Sequence, residues 1–400
     1  MDRSPAEPGA PGARAVLPRA VVALGAVSLL TDVSSEMIFS LLPAFLAAHF
    51  PGAPLVLGAM EGLAELVSSA LKLLSGRWAD RARSLKRLVA AGYVLSAVAR
   101  PLMAVVTRWW QPLLVRSVDR VGKGIRTSPR DALISRWVPV EGRARAFSFH
   151  RGMDHLGAAL GAAVAMALTG ALHYGPEQVF VASAVPGAAA LVALGFTRDA
   201  PAPAPAAGPT ASAPVPRSAW RFLVPVALFG LANSTDAFLL LKLTEQGAPA
   251  TLLPFAWLLL HAVKSLVSYP AGSLADRVGA GRVVVTGWLL YAASYAGLAL
   301  SPSVTATLGV IAFYGLYHAL SEGAEKALLA SLAPPEAHGR AFGLYHSISG
   351  VAALAAGLLF GAVWSRAGSA AAFLLAGSTA AGAAALLLLL RPRPLAPAAG

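Results

Sequence analysis

The chain has 400 residues, of which 56% are hydrophobic and 13% are charged; a soluble domain carries about 25% charged residues, so the composition excludes a soluble globular protein. Cysteine is absent, which excludes disulfides, thiol catalysis and thiolate-bound metal. The formal net charge of +13 would suit a nucleic-acid-binding protein, but we interpret it as basic loops that set the topology of a membrane protein.

Segments of spanning length follow one another along the whole chain. A transmembrane helix needs about 20 predominantly apolar residues. The regular alternation of apolar and polar residues that marks an outer-membrane barrel is missing. We therefore predict an all-α polytopic membrane protein. Its twelve predicted spans lie near residues 20–48, 54–77, 87–107, 110–135, 144–171, 177–196, 220–245, 251–274, 283–301, 304–332, 341–364 and 369–390.

The first span has flanks that resemble a secretory signal peptide. Arg3, Arg14 and Arg19 precede its apolar run, as in the positively charged start of such a peptide. The run itself contains Asp32 and Glu36, and it has no clear small-residue cleavage site. We predict that the segment is retained as the first span.

A segment between the sixth and seventh spans divides the chain. Residues 200–216 consist almost wholly of Pro, Ala, Gly, Ser and Thr, a composition that forms an extended linker rather than a core. The predicted domains are an N-terminal six-helix bundle over residues 1–197, a cytoplasmic linker over 198–218 and a C-terminal six-helix bundle over 219–400.

The distribution of basic residues predicts the orientation. If the N-terminus is cytoplasmic and the spans alternate, the cytoplasmic segments hold most loop Arg and Lys residues, and the opposite loops hold only Arg108 and Arg366. This asymmetry follows the positive-inside rule and supports an even number of spans. The Ala-, Gly- and Arg-rich composition is typical of a prokaryote of high genomic GC content. We predict a multi-pass protein of a prokaryotic cytoplasmic (inner) membrane with both termini in the cytoplasm.

The two halves of the chain repeat in sequence. Residues 76–81 (GRWADR) match residues 272–277 (GSLADR) at an offset of 196. The segment Arg145-Ala146-Phe147 matches Arg340-Ala341-Phe342 at an offset of 195. Parallel repeats of this kind build alternating-access transporters, in which the substrate site lies where the halves meet.

Ionisable side chains are concentrated in eight of the twelve predicted spans. Charged groups are costly within a bilayer, so they face the protein interior, a partner or water. Beyond their first residues, spans six, nine and twelve carry none and span three carries only Arg100, so we interpret these four as outer buttresses. The other eight are predicted to surround a polar cavity. Its candidate substrate-binding residues are Glu61, Glu65, Arg120, Lys123, Arg151, Asp154, Asp236, His261, Lys264, His318, Glu322, Glu325 and His346.

Asp32 and Glu36 are candidates for proton coupling. They are four residues apart and therefore share one face of a helix. Two carboxylates so close in a low dielectric raise each other's proton affinity, which coupling to a proton gradient requires. The alternative is a static ion pair with Arg116 or Arg120.

The sequence resembles the major facilitator superfamily over essentially its whole length. The family's cytoplasmic signature is a Gly, followed four residues later by Asp-Arg and then by basic residues. It is matched after the second and the eighth span by Gly76, Asp80, Arg81, Gly272, Asp276 and Arg277. The resemblance implies the family's fold of twelve transmembrane helices in two pseudo-symmetric six-helix halves. It also implies rocker-switch alternating access, with these six residues as a cytoplasmic latch.

Two further motifs of the family are matched in part. In the fourth span, Arg116 matches an Arg that the family links to proton transfer or substrate binding, whereas Asp119 replaces a Gln and Arg120 replaces a Gly. The resemblance thus adds Arg116 and Asp119 to the proton-coupling candidates. In the fifth span, Gly157 and Gly161 match an antiporter motif that here lacks its Pro. The alternative for this pair is close helix packing.

Two patterns could indicate other chemistry. Gly122-Lys123-Gly124 resembles part of a phosphate loop but lacks the following Ser or Thr and a preceding strand, so we expect a gradient rather than nucleotide hydrolysis to drive transport. His150, Asp154 and His155 could hold a metal, but without a denser cluster of ligands we favour a hydrogen-bonded or proton-relay role. We predict no metal site and no cofactor.

The sequence therefore predicts a secondary active transporter of a small molecule, coupled to protons and favouring export, and not an enzyme. Its expected partners are the lipid bilayer, the substrate and protons, without nucleic acid, and it is expected to be a monomer. Alternatives are uptake or uniport of a small organic anion, a metal ion or a metal chelate. A transport-inactive sensor or scaffold, a membrane-embedded enzyme and a lipid scramblase are alternatives of other classes. A wide aromatic cavity would favour export of drug-like molecules, and a tight cavity lined by Arg116 and Arg120 would favour a small anion.

Overall fold

The computed structural model describes residues 17–82, 84–138, 140–199, 214–334 and 337–392, and every regular element in these ranges is helical. A 3₁₀ helix over Arg100–Val105 continues the fourth α-helix. The α-helices are α1 Arg19–Phe39, α2 Leu42–His49, α3 Ala53–Arg81, α4 Leu85–Ala99, α5 Trp110–Trp137, α6 Val140–Ala171, α7 Pro176–Ala182, α8 Ala184–Gly195, α9 Arg217–Ala232, α10 Ala237–Glu245, α11 Leu252–Val278, α12 Ala280–Leu300, α13 Val304–Leu332 and α14 His338–Leu390.

Within the described ranges, nine helical segments are long and apolar enough to cross a membrane. The prediction of an all-α polytopic membrane protein is thereby confirmed. This criterion does not confirm the predicted count of twelve spans, which requires three more. Two of these are α5, which carries many charges, and α11, whose apolar part Leu252–Ser268 is shorter. The third comes from α14, which is two helices joined at Gly368.

Besides a one-residue break at Ser183 in the sixth span, between α7 and α8, two spans are interrupted in places that the sequence analysis did not predict. The first span breaks between Phe39 and Leu42, where Pro43 enters the first turn of α2. Proline lacks the backbone N–H and clashes with the preceding turn, so it ends a helix that reaches it. The seventh span breaks over residues 233–236, between α9 and α10. This second break places Asp236 at the start of α10, in the interior of the bundle.

A glycine forms the turn between the last two spans. Gly368 has φ 86° and ψ 166°, a conformation that side chains with a Cβ rarely adopt. The chain can therefore reverse there without a loop of any length. The reversal turns the last two spans antiparallel and brings the end of α14 back to the end of the bundle at which α1 begins. We call this end the termini end and the opposite end the far end.

The two halves meet through close packing of small residues on α3 and α14. Gly58 faces Gly357, and a Cβ on either glycine would collide with the backbone of the other. A Cβ on Gly361 would lie 2.5 Å from the carbonyl oxygen of Pro54, and one on Gly62 would lie 2.7 Å from Cα of Leu354. Small residues let transmembrane backbones approach closely. These contacts lie toward the far end, so the halves are held together there.

A cluster of aromatic side chains forms the core of the second half. The rings of Tyr291 and Tyr295 on α12 stack at 4.0 Å, and Tyr314 on α13 lies 5.8 Å from each. Buried hydroxyl groups need partners, and Tyr291 donates to the carbonyl oxygen of Ala232 at 2.6 Å while Tyr295 bonds Ser234 at 3.0 Å. The cluster thereby fixes the end of α9 beside the break that precedes α10.

Several predictions lie outside the described residues. They are the retained start of the chain at Arg3 and Arg14 and most of the linker over 198–218. The domain boundaries drawn from that linker therefore stay a prediction. The same holds for the latch, since among its members only the side chain of Arg277 is described, and it is exposed.

The glycine contact between the halves leads to a stability prediction. We expect Gly58→Ala to lower the free energy of unfolding by roughly 1–3 kcal/mol, because the added methyl overpacks the contact with Gly357. The matched control is Gly309→Ala on α13, where nothing lies within 4 Å of an added Cβ and the change should gain about 0.5–1 kcal/mol. Detergent-based unfolding followed by circular dichroism measures both. Equal stability of the two variants would contradict the close contact.

Candidate functional site

A charged cavity lies between the halves in the part of the bundle nearer the termini end. Its volume is about 490 Å³. Helices α1, α3, α5 and α6 line it from the first half, and α13 and α14 line it from the second. Among the lining residues that the structure describes, Phe147 is the only member of the Phe, Tyr and Trp class. The ionisable lining residues are Asp32, Lys72, Lys123, Arg126, Arg130, Asp131, His150, Arg151, Asp154, Glu322, Lys326 and His346.

Most carboxylates of this cavity already have partners. Asp154 accepts a hydrogen bond from Ser28 at 2.5 Å and lies 3.4 Å from Nδ1 of His150. Glu322 lies 3.3 Å from Nζ of Lys326 and 4.0 Å from the guanidinium of Arg151. The Arg151–Glu322 contact joins α6 of one half to α13 of the other. Charged groups that line the cavity thus join the two halves.

Asp32 differs from these carboxylates. It lines the cavity, and no side chain in the described part of the chain forms an ion pair with it within 4 Å. The charges that act on it come from Lys123 and Arg126 on α5, from Asp154 on α6 and from Glu36 on its own helix. Lys123 is exposed to the cavity and, within the same described ranges, also lacks an ion-pair partner. An acid and a base without ion-pair partners thus face one water-accessible space.

A buried network of ion pairs lies deeper in the first half. The guanidinium of Arg116 contacts Glu61 at 2.7 and 3.1 Å, a two-point geometry that gives strong charge-assisted bonds. Asp119 accepts from Nε of Arg100 at 2.9 Å and lies 3.5 Å from Arg116. Arg100 also donates to the carbonyl oxygen of Thr31 at 2.7 Å. The network therefore ties α1, α3, α5 and the third span together.

This network changes two predictions. The third span was interpreted as an outer buttress, but its one charged residue, Arg100, is 6% exposed and points into the bundle. Arg116 and Asp119 were grouped with the proton-coupling candidates, yet each is bound by opposite charges and buried. The sequence signal that could have identified Arg100 was its position as a lone charge in an otherwise apolar span.

Glu36 lies at the junction of the two halves. Its Oε2 accepts a hydrogen bond from Nε1 of Trp257 on α11 at 2.7 Å, and its Oε1 lies 3.5 Å from the hydroxyl of Ser35. The alternative prediction of a static ion pair between Asp32 or Glu36 and Arg116 or Arg120 is wrong for this structure, because Arg116 binds Glu61 instead. Trp257 was not singled out by sequence.

The second half holds one charged cluster at the break before α10. Asp236 lies 2.7 Å from Nζ of Lys264, accepts from the hydroxyl of Tyr314 at 2.7 Å and lies 3.3 Å from Nε2 of His318. It borders a smaller pocket of about 220 Å³ that Glu61 and Glu65 also line. Glu65 in turn lies 3.6 Å from Lys72. The Glu65–Lys72 pair thus links this pocket to the larger cavity, which Lys72 lines.

Not every predicted cavity residue faces these spaces. Glu325 is 8% exposed and accepts hydrogen bonds from Trp288 at 2.8 Å and Tyr345 at 2.7 Å, inside the second half. The prediction that it lines the cavity is therefore wrong, because two neutral donors hold it in the core. His261 packs its ring against Trp257 at 4.9 Å. His155 lines a separate pocket, so it does not join His150 and Asp154.

Two motifs are explained by helix geometry. Gly157 and Gly161 lie where α6 crosses α1, and an added Cβ would lie 2.5 Å from the carbonyl oxygen of Leu29 or 2.7 Å from that of Val33. The packing interpretation of this pair is therefore confirmed. Gly122-Lys123-Gly124 lies inside α5, so it cannot form a phosphate loop, which requires a turn between a strand and a helix.

Two repeated helical halves that are packed together at one end and enclose a charged cavity toward the other have the architecture of an alternating-access membrane transporter. The chain belongs to the Major Facilitator Superfamily, whose sequence profile matches residues 24–263 and 227–400. Members of this superfamily are membrane transporters and not enzymes. Both the predicted family and the predicted fold in two halves are thereby confirmed.

Three relatives illustrate the similarity. The chain is 31% identical over 356 residues to an uncharacterized MFS-type transporter of Methanocaldococcus jannaschii, covering 87% of this chain and 89% of the relative. It is 24% identical to the multidrug resistance protein MdtH of Photorhabdus laumondii, covering 79% of each. A bacterial homolog of the human lysosomal transporter Spinster, solved in an inward-facing and occupied conformation, superposes with a TM-score of 0.77 at 15% identity, covering 94% of this chain and 98% of that one.

The buried network leads to a second stability prediction. We expect Arg100→Met to lower the free energy of unfolding by about 3–5 kcal/mol, because it leaves Asp119 with a weaker set of partners in the interior. Adding Asp119→Asn should cost less than the sum of the single changes. Arg151→Gln, at a pair about 60% exposed, is the control and should cost less than about 1 kcal/mol. Additive effects of the first two changes would show that the network is not coupled.

Proposed function

We propose that the chain is a proton-coupled transporter of a small anionic solute. The observation that carries this proposal is the cavity, which combines an excess of cationic side chains with one carboxylate, Asp32, that has no ion-pair partner among the described residues. The solute would bind in this cavity, and the proton would bind at Asp32 and Glu36. The proposal selects one of the alternatives that the sequence left open.

The charge of the cavity supports an anionic substrate. Its described lining residues include six Lys and Arg side chains and four carboxylates. Of the cations, Arg126 is bound by neutral groups, the hydroxyl of Ser96 at 2.7 Å and the ring of Tyr93 at 4.6 Å, and Lys123 has no partner within the described ranges. Positive charge in a cleft with low-dielectric walls attracts anions. A cavity with so little aromatic surface is poorly suited to large hydrophobic drugs.

The position of Asp32 supports coupling between solute and proton. An ionised Asp32 attracts Lys123 and repels an anion that enters the cavity. A protonated Asp32 does neither, so the positive charge of Lys123 becomes available to the solute. Proton and anion would then bind together and move in the same direction. Glu36, one helical turn away on the same face, would receive the proton on its way between the two ends.

Uptake and export are the two candidate directions of transport. Cooperative binding of proton and anion favours symport, which an inward proton gradient drives as uptake. The sequence predicted export, and the name of the relative MdtH, a multidrug resistance protein, is in keeping with that direction. Export of an anion would also be aided by an inside-negative potential, by about 2.3 kcal/mol per charge at 100 mV. The transport assay below separates the two.

We also propose the orientation and environment drawn from the sequence. The multi-pass chain would lie in the inner membrane of a prokaryote with the termini end in the cytoplasm, because basic residues concentrate in the loops of that end. In this orientation the charged cavity is on the cytoplasmic side of the closed far end. The protein would act as a monomer, since each chain contains both halves that form the cavity.

The proton site is tested by transport in proteoliposomes that contain a pH-sensitive dye. Organic anions, organic cations and metal ions are offered in turn, on either side of the membrane. For wild type we expect anion-induced proton movement. In Asp32→Asn and Glu36→Gln it should fall at least about tenfold, while exchange of labelled solute at equal pH continues. Glu177→Gln is the control, since Glu177 pairs with His49 at the far end. Wild-type proton movement in both cavity variants would refute the proton-site assignment.

The charge of the substrate is tested at Lys123. We expect Lys123→Gln to raise the KM for the transported anion by about tenfold or more, because a hydrogen bond to a charged group contributes about 1.5–3 kcal/mol. Lys86→Gln is the matched control. Its Nζ donates to the carbonyl oxygens of Gly195 and Thr197 at the termini end, so the KM should be unchanged. A transported cation, or an unchanged KM in Lys123→Gln, would contradict an anionic substrate.

A further inference from the structure

One hydrogen bond crosses between the halves near the middle of the bundle. Trp257 on α11 donates from Nε1 to Oε2 of Glu36 on α1 at 2.7 Å. The indole is 5% exposed, and its ring lies 4.8 Å from the ring of Phe39, also on α1. Contact between α1 and α11 thus combines a directional polar bond with aromatic packing. It lies between the charged cavity and the closed far end.

The surroundings of Glu36 make this donor its main partner. Arg116 approaches from α5 but is bound by Glu61 of α3, and Asp32 precedes Glu36 by one turn on α1. Helix α6 presents Gly161, which carries no charge and whose added Cβ would lie 2.9 Å from Cβ of Glu36. On α11, His261 stands one turn beyond Trp257. Among these groups, only Trp257 belongs to the other half and donates a hydrogen bond to the carboxylate.

The internal repeat shows that this arrangement is particular to one half. At the offset of 196 that relates residues 76–81 to 272–277, Trp257 occupies the position of Glu61. Glu61 binds Arg116 inside its own half. Trp257 instead reaches across the interface. The bond is therefore not a copy of a contact that stabilises each half on its own.

We propose that Trp257 is a positioning residue that links protonation of Glu36 to opening of the far end; this rests on the proposed role of Glu36 as a proton site. A hydrogen bond to a carboxylate is roughly twice as strong as one to a neutral acceptor. Ionised Glu36 therefore holds α1 and α11 together, and protonated Glu36 holds them less. Because the bond must break when the halves separate at the far end, protonation shifts the equilibrium toward the far-end-open state.

The test measures this equilibrium directly. The chain has no cysteine, so Ala48→Cys and Ala250→Cys introduce the only two thiols. Both positions are exposed at the far end, one in each half. Spin labels at these thiols report the separation of the halves in the full-length protein, reconstituted in lipid nanodiscs without substrate. The ratio of open to closed populations is then recorded across a range of pH.

Trp257→Phe keeps the aromatic packing and removes the donor. We expect it to raise the open-to-closed ratio by about tenfold at alkaline pH, which corresponds to about 1.4 kcal/mol, and to flatten the dependence on pH. Trp288→Phe is the matched control. It removes a bond from Trp Nε1 to Glu325 at 2.8 Å, but both residues lie in the second half. Its ratio and pH dependence should equal those of the wild type.

Glu36→Gln provides the second variant. It should raise the ratio as Trp257→Phe does, and the two changes together should have less than additive effect, since they remove the same bond. If Trp257→Phe does not fold, the open-to-closed ratio of Glu36→Gln is compared with that of Trp288→Phe instead. A ratio in Trp257→Phe or Glu36→Gln equal to that of Trp288→Phe, or full additivity of the two changes, would overturn the proposal.

The two proposals fail in different ways. An unchanged ratio together with normal proton-coupled transport would overturn the role of Trp257 alone. A shifted, pH-dependent ratio together with solute transport that moves no protons would support the role of Trp257 in holding the far end and overturn proton coupling.

Discussion

The free-energy cost of placing a charged side chain in the hydrocarbon layer determines how the helices of this protein pack. A charged side chain in a membrane must find an opposite charge, a hydrogen-bonding group or water. Arg116 with Glu61, Arg100 with Asp119, and Lys264 with Asp236 satisfy this requirement in pairs. Each pair joins different spans, so the requirement also determines which helices pack together. Among the described residues, Asp32 and Lys123 have no such ion-pair partner, and both line the cavity.

The halves meet through two kinds of contact, apolar backbone packing and a hydrogen bond to a carboxylate. The glycine contacts of α3 with α14 bring two backbones together through residues without polar side chains, and such close packing is favoured by dispersion. Such a surface can separate and re-form without leaving an unsatisfied donor behind. The bond between Trp257 and Glu36 is the opposite case, since its strength depends on the charge of the acceptor. In a protein that alternates between two packings, the first kind of contact lets the halves move against each other. The second kind makes the equilibrium between the two states depend on protonation.

The two halves have the same fold but use different chemistry. In the first half the buried charges form an extended network that reaches from Thr31 to Glu61. In the second half a tyrosine cluster fills the corresponding interior. Asp236 and its three partners lie at the break before α10, and Glu325 is held separately by Trp288 and Tyr345. The lysines and arginines of the cavity come mostly from the first half. The proposed substrate recognition and proton transfer would therefore be concentrated in the first half.

The sequence by itself determined the membrane class, the positions of the spans to within a few residues, the repeat and the set of spans that carry charge. These properties depend on local hydrophobicity and on spacing along the chain, which need no knowledge of neighbours. Only the tertiary structure decided which charges pair. Helical spacing shows that Asp32 and Glu36 share a face, but it cannot show that Arg116 turns to Glu61, that Arg100 points inward or that Glu325 lies in the core. Trp257 had no sequence signal, because a tryptophan in an apolar span is unremarkable until the opposite half places a carboxylate 2.7 Å from its nitrogen. Charged side chains on different helices pair only when the fold brings them within a few ångströms of each other. That separation in space cannot be read from their separation along the chain.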